Sequence, residues 1–244
     1  MKNESLLRIP LYVQVREKLR EELATSEAGT MIPPEAVLEG RFSVSRITIR
    51  KAIDDLVAEG LLIRRQGRGT FRQEPKLVHD LNAITSWTEQ LRALGYVPHT
   101  AAREVAEIPA PKKIQRLLQL SSEERVIQLR RTRLANDEPM TLMVNYIPSV
   151  LVPGFVDASQ ETESLYELLS SRYGLSPAEA TDTVETRPAS EAESERLKIE
   201  PWSPVLVVTR VAHLKEGRPL EVGVAVSRGD RYEYRVRLQN PPKS

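Results

Sequence analysis

Cationic side chains are concentrated in one stretch of this 244-residue chain, residues 41–72, which holds eight Lys or Arg and three Asp or Glu. The formal net charge of the whole chain is only +1, so this local excess, eight minus three or +5, is confined to the stretch. Closely spaced cations suit a polyanion, and nucleic acid is lined by phosphates. The stretch therefore predicts a surface that binds phosphate groups.

A helix must position the first of these charges. Ser45 can cap it, and Gly60 is placed to end it. The apolar residues that recur at helical spacing are Ile49, Ala52, Ile53 and Leu56. The residues left facing outward are Arg46, Ile47, Arg50 and Lys51. The N-terminal end of the helix is therefore cationic.

A short basic hairpin is predicted to follow. An apolar strand at residues 61–63 is followed by Arg64 and Arg65, then by a glycine-containing turn at residues 66–69, and residues 70–71 form the return strand. Upstream, helices are predicted over residues 10–24 and 35–41. Three helices and a hairpin are typical of a winged helix-turn-helix. A plain three-helix unit with solvated arginines is the alternative, but it gives no packing reason for so basic a hairpin.

These motifs resemble the DNA-binding domain of GntR-type bacterial transcription regulators. The matching positions are Gly29, 32–35, 42–46, 48–50, 52–53, 59–62 and 67–71. The resemblance implies that Arg46 and Arg50 contact bases or phosphates in the major groove of a double-stranded DNA operator.

The resemblance also assigns phosphate contacts to Ser45 and Thr48. It places Gly67 in the minor groove at the tip of the hairpin, with Arg68 and Gly69 beside it as further DNA-binding residues.

Three residues depart from the family pattern. Pro34 stands where a Ser helix cap is usual, and Ser43 replaces a common turn Gly. Ala36 stands where many members have an Arg that touches DNA. The first two departures predict some loss of stability, and the third predicts a smaller contribution of the second helix and an altered operator.

Composition argues against several other classes of protein. The chain has no Cys, and its three His residues show no ligand spacing, so we expect no metal and no cofactor. It has no apolar run as long as a membrane span, and its N-terminal residues lack the apolar segment of a signal peptide. We therefore expect a cytoplasmic protein without a membrane partner.

A polar stretch at residues 73–76 is predicted to join two domains, residues 1–75 and residues 76–244. Predicted helices of the second domain lie near 86–95, 111–119 and 165–174 and from 190 onward, two of them opened by capping boxes at Ser86 and Ser190. Predicted strands are 126–134, 140–147, 205–214, 220–227 and 232–238. The fold class is therefore two-domain α+β, a winged helix-turn-helix followed by an antiparallel sheet with helices.

The second domain resembles the UTRA ligand-sensing domain of the HutC subfamily, whose fold is chorismate lyase-like. The matching positions are 85–89, Gly95, Arg131, Arg133, Pro139, 146–148, 164–166, Gly217, Pro219, Glu221 and 228–232. In members that bind amino-sugar phosphates, the resemblance implies that the effector pocket is lined by Ser86, Trp87, Arg131, Arg133, Ser164, Tyr166 and Glu221. Ser86 as only a helix cap, and Tyr166 as only a core residue, are the alternatives.

Strand periodicity independently draws attention to Arg131 and Arg133, which share a strand face that begins apolar. Arginine on a buried face needs an anion. That anion is either an effector or an internal carboxylate, for example Glu221 or Asp230. The alternate residues of strand 220–227 that follow Glu221 are small or polar, which leaves room for a ligand.

One residue bears on the class of effector. Met143 occupies a strand position at which sugar-phosphate sensors tend to have Glu. Loss of that carboxylate argues against an amine partner on the ligand. An anionic or phosphorylated small molecule is therefore favoured.

Together these patterns predict a ligand-responsive, DNA-binding transcription regulator. We expect a homodimeric repressor that a small anionic metabolite releases from a palindromic operator, and not an enzyme. Two alternatives stay open: a chorismate lyase-like enzyme domain fused to a DNA-binding domain, and a DNA binder with an inert dimerisation domain.

Overall fold

The structure, a computed structural model, describes residues 9–73, 76–80, 83–159 and 163–238. The chain divides into two compact units, residues 1–75 and residues 76–244. Of the predicted junction, Gln73 and Lys76 are described, whereas Glu74 and Pro75 lie outside the described residues.

The first unit consists of three helices and a hairpin. These elements are α1 (Leu11–Thr25), α2 (Glu35–Phe42), α3 (Arg46–Ala58), β1 (Leu62–Arg65) and β2 (Gly69–Arg72). The predicted order is confirmed, with one correction in the hairpin. β1 extends through Arg64 and Arg65, and Gly69 belongs to β2 opposite Arg65, so the turn holds residues 66–68 and not 66–69.

The core of this unit is built from the apolar faces of the three helices. Leu19, Leu38, Ile49 and Leu56 pack together there and are almost fully buried. Leu11, at the start of the predicted apolar stripe of α1, lies outside this core and is exposed. The segment before α2 also joins the hairpin, since Met31 bridges to Phe71 and the Ile32 N–H donates to the Thr70 carbonyl at 2.9 Å.

The second unit is built around a six-stranded antiparallel sheet. Its strands are β4 (Pro98–Pro109), β5 (Arg125–Ala135), β6 (Glu138–Pro148), β7 (Glu179–Pro188), β8 (Pro204–His213) and β9 (Pro219–Arg228), in the order β4-β5-β6-β9-β8-β7. The predicted α+β architecture is confirmed. The two edge strands, β4 and β7, were not predicted, because most of their residues are exposed and give no apolar alternation.

The end of the chain corrects the sequence prediction. The predicted strand over residues 232–238 is shorter, β10 (Tyr232–Arg235), and it does not join the antiparallel sheet. It pairs in parallel with β3 (Leu77–Asp80), which directly follows the junction. Parallel pairing between segments so distant in sequence leaves no local turn signal.

Five α-helices and one 3₁₀ helix of the second unit connect or cover its strands among the described residues. They are α4 (Trp87–Ala93), α5 (Lys112–Leu118), a 3₁₀ helix (Ser149–Leu151), α6 (Phe155–Ala158), α7 (Leu165–Tyr173) and α8 (Glu191–Leu197). The capping boxes predicted at Ser86 and Ser190 both form. None of the described helices is long and apolar enough to cross a membrane.

Candidate functional site

The first candidate site is the surface around the start of α3. Arg46, Ile47, Arg50 and Lys51 are all exposed, as the helical spacing predicts. Lys51 is held by α1, because its ammonium lies 4.7 Å from the centre of the Tyr12 ring.

The acidic groups in the second half of α3 are engaged by arginines of neighbouring elements. Arg64 of β1 forms an ion pair with Asp54, and Arg20 of α1 forms one with Glu59. These pairs withdraw negative charge from the surface and tie the hairpin to the helix. The exposed guanidinium groups of Arg50 and Arg68 form no ion pair in the described part of the chain.

Three predicted phosphate- or base-contacting residues already have protein partners. The Ser45 hydroxyl caps α3 by accepting from the Thr48 N–H at 3.4 Å, and the two hydroxyl oxygens lie 2.9 Å apart. Arg46 donates to Glu35 at 3.1 Å while its side chain stays 72% exposed. Arg46 is therefore oriented by α2 without being removed from solvent.

The tip of the hairpin depends on its two glycines. Gly67 and Gly69 have φ values of +68° and +119°, a backbone region that other residues rarely adopt. A Cβ at Gly69 would also lie 3.0 Å from the Met31 sulfur. Arg68 stands exposed between these glycines, within the turn that joins Arg65 to Gly69.

The departures Ser43 and Pro34 have local consequences. Ser43 ends α2 with φ +52°, so it occupies the conformation that a turn glycine would adopt without strain. Pro34 precedes α2 and provides no side-chain cap. Both observations agree with the predicted loss of stability.

The second candidate site is a cavity beside the large sheet of the second unit. It encloses about 90 Å³ into which the centre of a water-sized sphere fits. A single water needs roughly 10–15 Å³ on this measure, so the cavity has room for a small molecule. The predicted pocket residues that line it are Ser86, Trp87, Arg131, Arg133 and Tyr166.

Two predicted pocket residues, Ser164 and Glu221, do not line this cavity. The buried Ser164 hydroxyl caps α7, where it accepts from the Glu167 N–H at 3.3 Å. Glu221 is buried behind the cavity surface. Ser86, by contrast, both caps α4 and lines the cavity, so the two readings of that residue are compatible.

Arg133 is held rigidly from several directions. It is 1% exposed and donates to the Glu163 carboxylate at 2.8 Å. Further donations go to the hydroxyls of Thr100 at 2.6 Å and Thr88 at 2.8 Å. Its guanidinium also lies 4.6 Å from the centre of the Trp87 ring. The internal counter-ion of Arg133 is therefore Glu163, which the sequence did not identify.

Arg131 differs from Arg133 because it has no carboxylate within ion-pair distance among the described residues. It donates to the Asn145 amide oxygen at 2.8 Å, and Asn145 in turn donates to Glu221 at 2.6 Å. Burial, with smaller contributions from Arg133 and Arg103, lowers the pKa of Arg131 to about 9. Arg131 is thus a buried cation near neutral pH. Its link to the Glu221 carboxylate runs through Asn145.

The anticipated ion pairs with Glu221 and Asp230 are therefore not found. Glu221 reaches Arg131 only through Asn145, and burial raises the pKa of Glu221. Asp230 pairs with Arg228 at 2.8 Å instead. In addition, the Nε of Arg131 and the Nε of Arg133 have no hydrogen-bond partner among the described residues. An unpaired buried donor is costly, and both nitrogens are themselves enclosed by protein.

The opposite side of the cavity carries an ion pair that sequence reasoning missed. Asp182 of β7 and Arg210 of β8 face each other across the strand pair and form two hydrogen bonds of 2.7 Å. Strand periodicity could have identified Asn145, which lies two residues after Met143 on the same face. Nothing local marks Glu163 or Asp182, since each gains its role only when distant segments meet.

Comparison with known proteins agrees with the architecture of both units. Residues 11–71 match the family described as bacterial regulatory proteins, gntR family, and residues 93–233 match the UTRA domain family. The chain is 32% identical over 228 residues to the transcriptional repressor NagR of Bacillus subtilis, covering 93% of each chain. It is 31% identical to a probable fructoselysine utilization operon repressor of Escherichia coli O157:H7, covering 91% of each.

A solved structure extends this similarity to three dimensions. PhnF from Mycobacterium smegmatis superimposes with a TM-score of 0.68 at 25% identity, covering 93% of this chain and all of that one. The two family matches occur in the order in which the winged helix-turn-helix and the sheet domain follow each other. The chain therefore belongs to the GntR family of bacterial transcription regulators and carries a UTRA domain.

Proposed function

We propose that this regulator is a homodimeric repressor that leaves a palindromic operator when a small anionic metabolite enters the cavity of the second unit. GntR regulators bind DNA operators and respond to small-molecule effectors, and this chain is not an enzyme. The proposal concerns the chemical class of the effector, the residues that hold it and the assembly that responds.

The environment of Arg131 carries the proposal. A buried guanidinium that lines the cavity and has only uncharged acceptors, namely the Asn145 amide, the Glu163 carbonyl and the Met143 sulfur, is stabilised by an anion that reaches it. Arg133 lies two residues away and lines the same cavity. A carboxylate or phosphate in the cavity would supply acceptors to both groups.

The carboxylates at the cavity wall argue in the same direction. Glu163 is engaged by Arg133, and Asp182 is engaged by Arg210. Met143, at the position where sugar-phosphate sensors tend to have Glu, presents a thioether. Neither described wall carboxylate is thus without a cationic partner, and a cationic ligand would meet more positive than negative charge.

The names of relatives suggest which anions to try. They include repressors of fructoselysine utilization and of mannosyl-D-glycerate transport and metabolism. Phosphorylated and carboxylated sugar derivatives are therefore the first candidates. We expect a homodimer because one winged helix contacts only a short half-site, and a palindromic operator has two such half-sites.

The test is a thermal-shift screen of the full chain against sugar phosphates, sugar acids and other organic anions. A hit at 100 times its Kd should stabilise the second unit by about 2.7 kcal/mol. Arg131→Ala should abolish the stabilisation. Arg130→Ala is the matched control, because this neighbour lies on the same strand but is exposed, and it should retain the effect.

Arg131→Lys separates the possible outcomes. A folded lysine variant that binds the hit weakly supports an anion site. If Arg131→Ala and Arg131→Lys both unfold without ligand, Arg131 is structural and the anion site is wrong. If no anion stabilises the wild-type protein, the second unit behaves as an inert dimerisation domain.

A further inference from the structure

We propose that Ile47 determines operator specificity by packing against the C5-methyl group of a thymine in the major groove. This inference rests on the proposed function, since it assumes that α3 enters the groove of an operator. It goes further by naming an apolar specificity contact and the base that the contact selects.

The exposure of Ile47 has no explanation within the first unit. Its side chain is 81% exposed, whereas Ile49 and Ile53 on the same helix are 0% and 1% exposed. These two buried residues satisfy the packing needs of the helix against α1 and α2. A single exposed aliphatic side chain is common on protein surfaces, so the position of Ile47 among the groups around it must carry the inference.

The position of Ile47 on the helix identifies its partner. It is the second residue of α3, and N-terminal residues of a recognition helix contact base edges. Helical spacing places Arg50 three residues on and Lys51 four residues on, on the same face. This arrangement suits the major groove of DNA. The cations can contact the phosphates at its edges, and the apolar side chain can contact the bases on its floor.

Among the base edges on the floor of the major groove, one apolar group is available to Ile47. Thymine presents a C5-methyl group in the major groove, whereas the other bases present hydrogen-bond donors and acceptors. If Ile47 bound another protein, we would expect apolar residues around it on the helix surface. The neighbours of Ile47 on the helix surface, Arg46 and Arg50, are instead charged and exposed. Charge complementarity therefore favours DNA.

The experiment uses the full chain and a randomised double-stranded DNA library to select the preferred sequence. Each thymine of the selected site is then replaced singly by deoxyuridine, which keeps base pairing and removes only the methyl group. Fluorescence anisotropy would measure affinity for the wild type, for Ile47→Ala and for Val150→Ala. Val150 is a control because it is 70% exposed and lies in the second unit.

The expected result is one thymine per half-site at which deoxyuridine weakens wild-type binding roughly four-fold, the effect of one methyl group leaving an apolar contact. Ile47→Ala should weaken binding to the thymine site by a similar factor and show no further loss with deoxyuridine there. Val150→Ala should behave like the wild type at every position.

Two other outcomes overturn the inference in distinguishable ways. If a sequence is selected but no thymine shows a loss that depends on Ile47, the thymine contact is wrong while the regulator function stands. If no sequence is enriched at all, the operator function fails, and the inference fails with it. Ile47→Val, which keeps most of the apolar surface, should retain the sensitivity to deoxyuridine.

Discussion

The carboxylate of Glu221 lies over Gly223, two residues along the same strand. A Cβ built at Gly223 would be 2.6 Å from the Glu221 Oε1 and 3.2 Å from the Asn145 side-chain nitrogen. Gly223 is required here for space, because the Glu221 carboxylate occupies the volume of the missing side chain and meets Asn145 there. This contact is the link through which Glu221 compensates Arg131.

Gly223→Ala should therefore disturb the cavity, which Gly223 itself lines. The displaced carboxylate is buried and cannot move freely, so we expect a loss of about 1 to 3 kcal/mol in the stability of the second unit. Anion binding at Arg131 should change as well, because its indirect counter-ion moves. Thermal unfolding with and without a screened anion measures both effects. In Glu221→Ala/Gly223→Ala the clash is absent, so additive losses in the double variant would contradict this account.

Arginines that contact bases and arginines that contact phosphates should differ in how their loss affects DNA binding. Arg46→Ala or Arg50→Ala should cost roughly 1 to 3 kcal/mol of operator binding and relax specificity at one base pair. Arg68→Ala should weaken binding to all sequences and reduce the slope of log K against log salt by about 1. Anisotropy titrations over a range of salt concentrations distinguish the two behaviours.

Arg116→Ala is the matched control, because Arg116 is an exposed helical arginine of the second unit. It should bind like the wild type. Equal operator affinity of Arg46→Ala and the wild type would remove Arg46 from the reading surface.

Anion binding should depend on pH in a direction set by Arg131. Its pKa is about 9 in the protein without ligand, and a bound anion favours the protonated form and raises that pKa. Affinity should therefore be constant below about pH 9 and fall by up to about tenfold per pH unit above it. Calorimetry on either side of that pH, in buffers of different ionisation enthalpy, should also detect proton uptake above it. Unchanged affinity well above pH 9 would show either that Arg131 keeps its proton there or that the anion does not contact it.

Effector and operator should oppose each other by equal factors. If the effector favours a state that binds DNA less well, operator affinity falls by a factor of roughly 5 to 150, the usual range of allosteric coupling. Linkage requires that saturating operator lower effector affinity by the same factor. Calorimetric titration of the screened anion with and without operator measures this directly. Indistinguishable affinities would mean that the two units are uncoupled.

Local signals were sufficient for the elements whose determinants lie within a few residues. The boxes at Ser86 and Ser190 and the cap at Ser45 were predicted because each is completed by a residue three positions later. The central strands were predicted because their residues alternate with the period of a strand. By contrast, β4 and β7 pair along one edge only and show mostly exposed residues, so their pairing could not be read locally.

For the cavity too, the sequence predicted local features but not long-range contacts. Periodicity placed Arg131 and Arg133 on one buried face, which the structure confirms. It could not supply their partners, because Glu163 precedes α7 and Asn145 belongs to the next strand. Which carboxylate pairs with which arginine is decided by sheet register, and register is a long-range property.

The pairing of β3 with β10 joins the start of the second unit to its end. Leu77 and Tyr232 are register partners and are both 3% exposed, and the Trp87 indole N–H donates to the Tyr232 hydroxyl. A fragment cut where the UTRA match begins, at residue 93, would lack β3 and nearly all of α4. Tyr232 would then lose its cover and present an aromatic surface prone to aggregation. Recombinant fragments or domain fusions of the second unit should therefore start upstream of Leu77, which preserves this pairing.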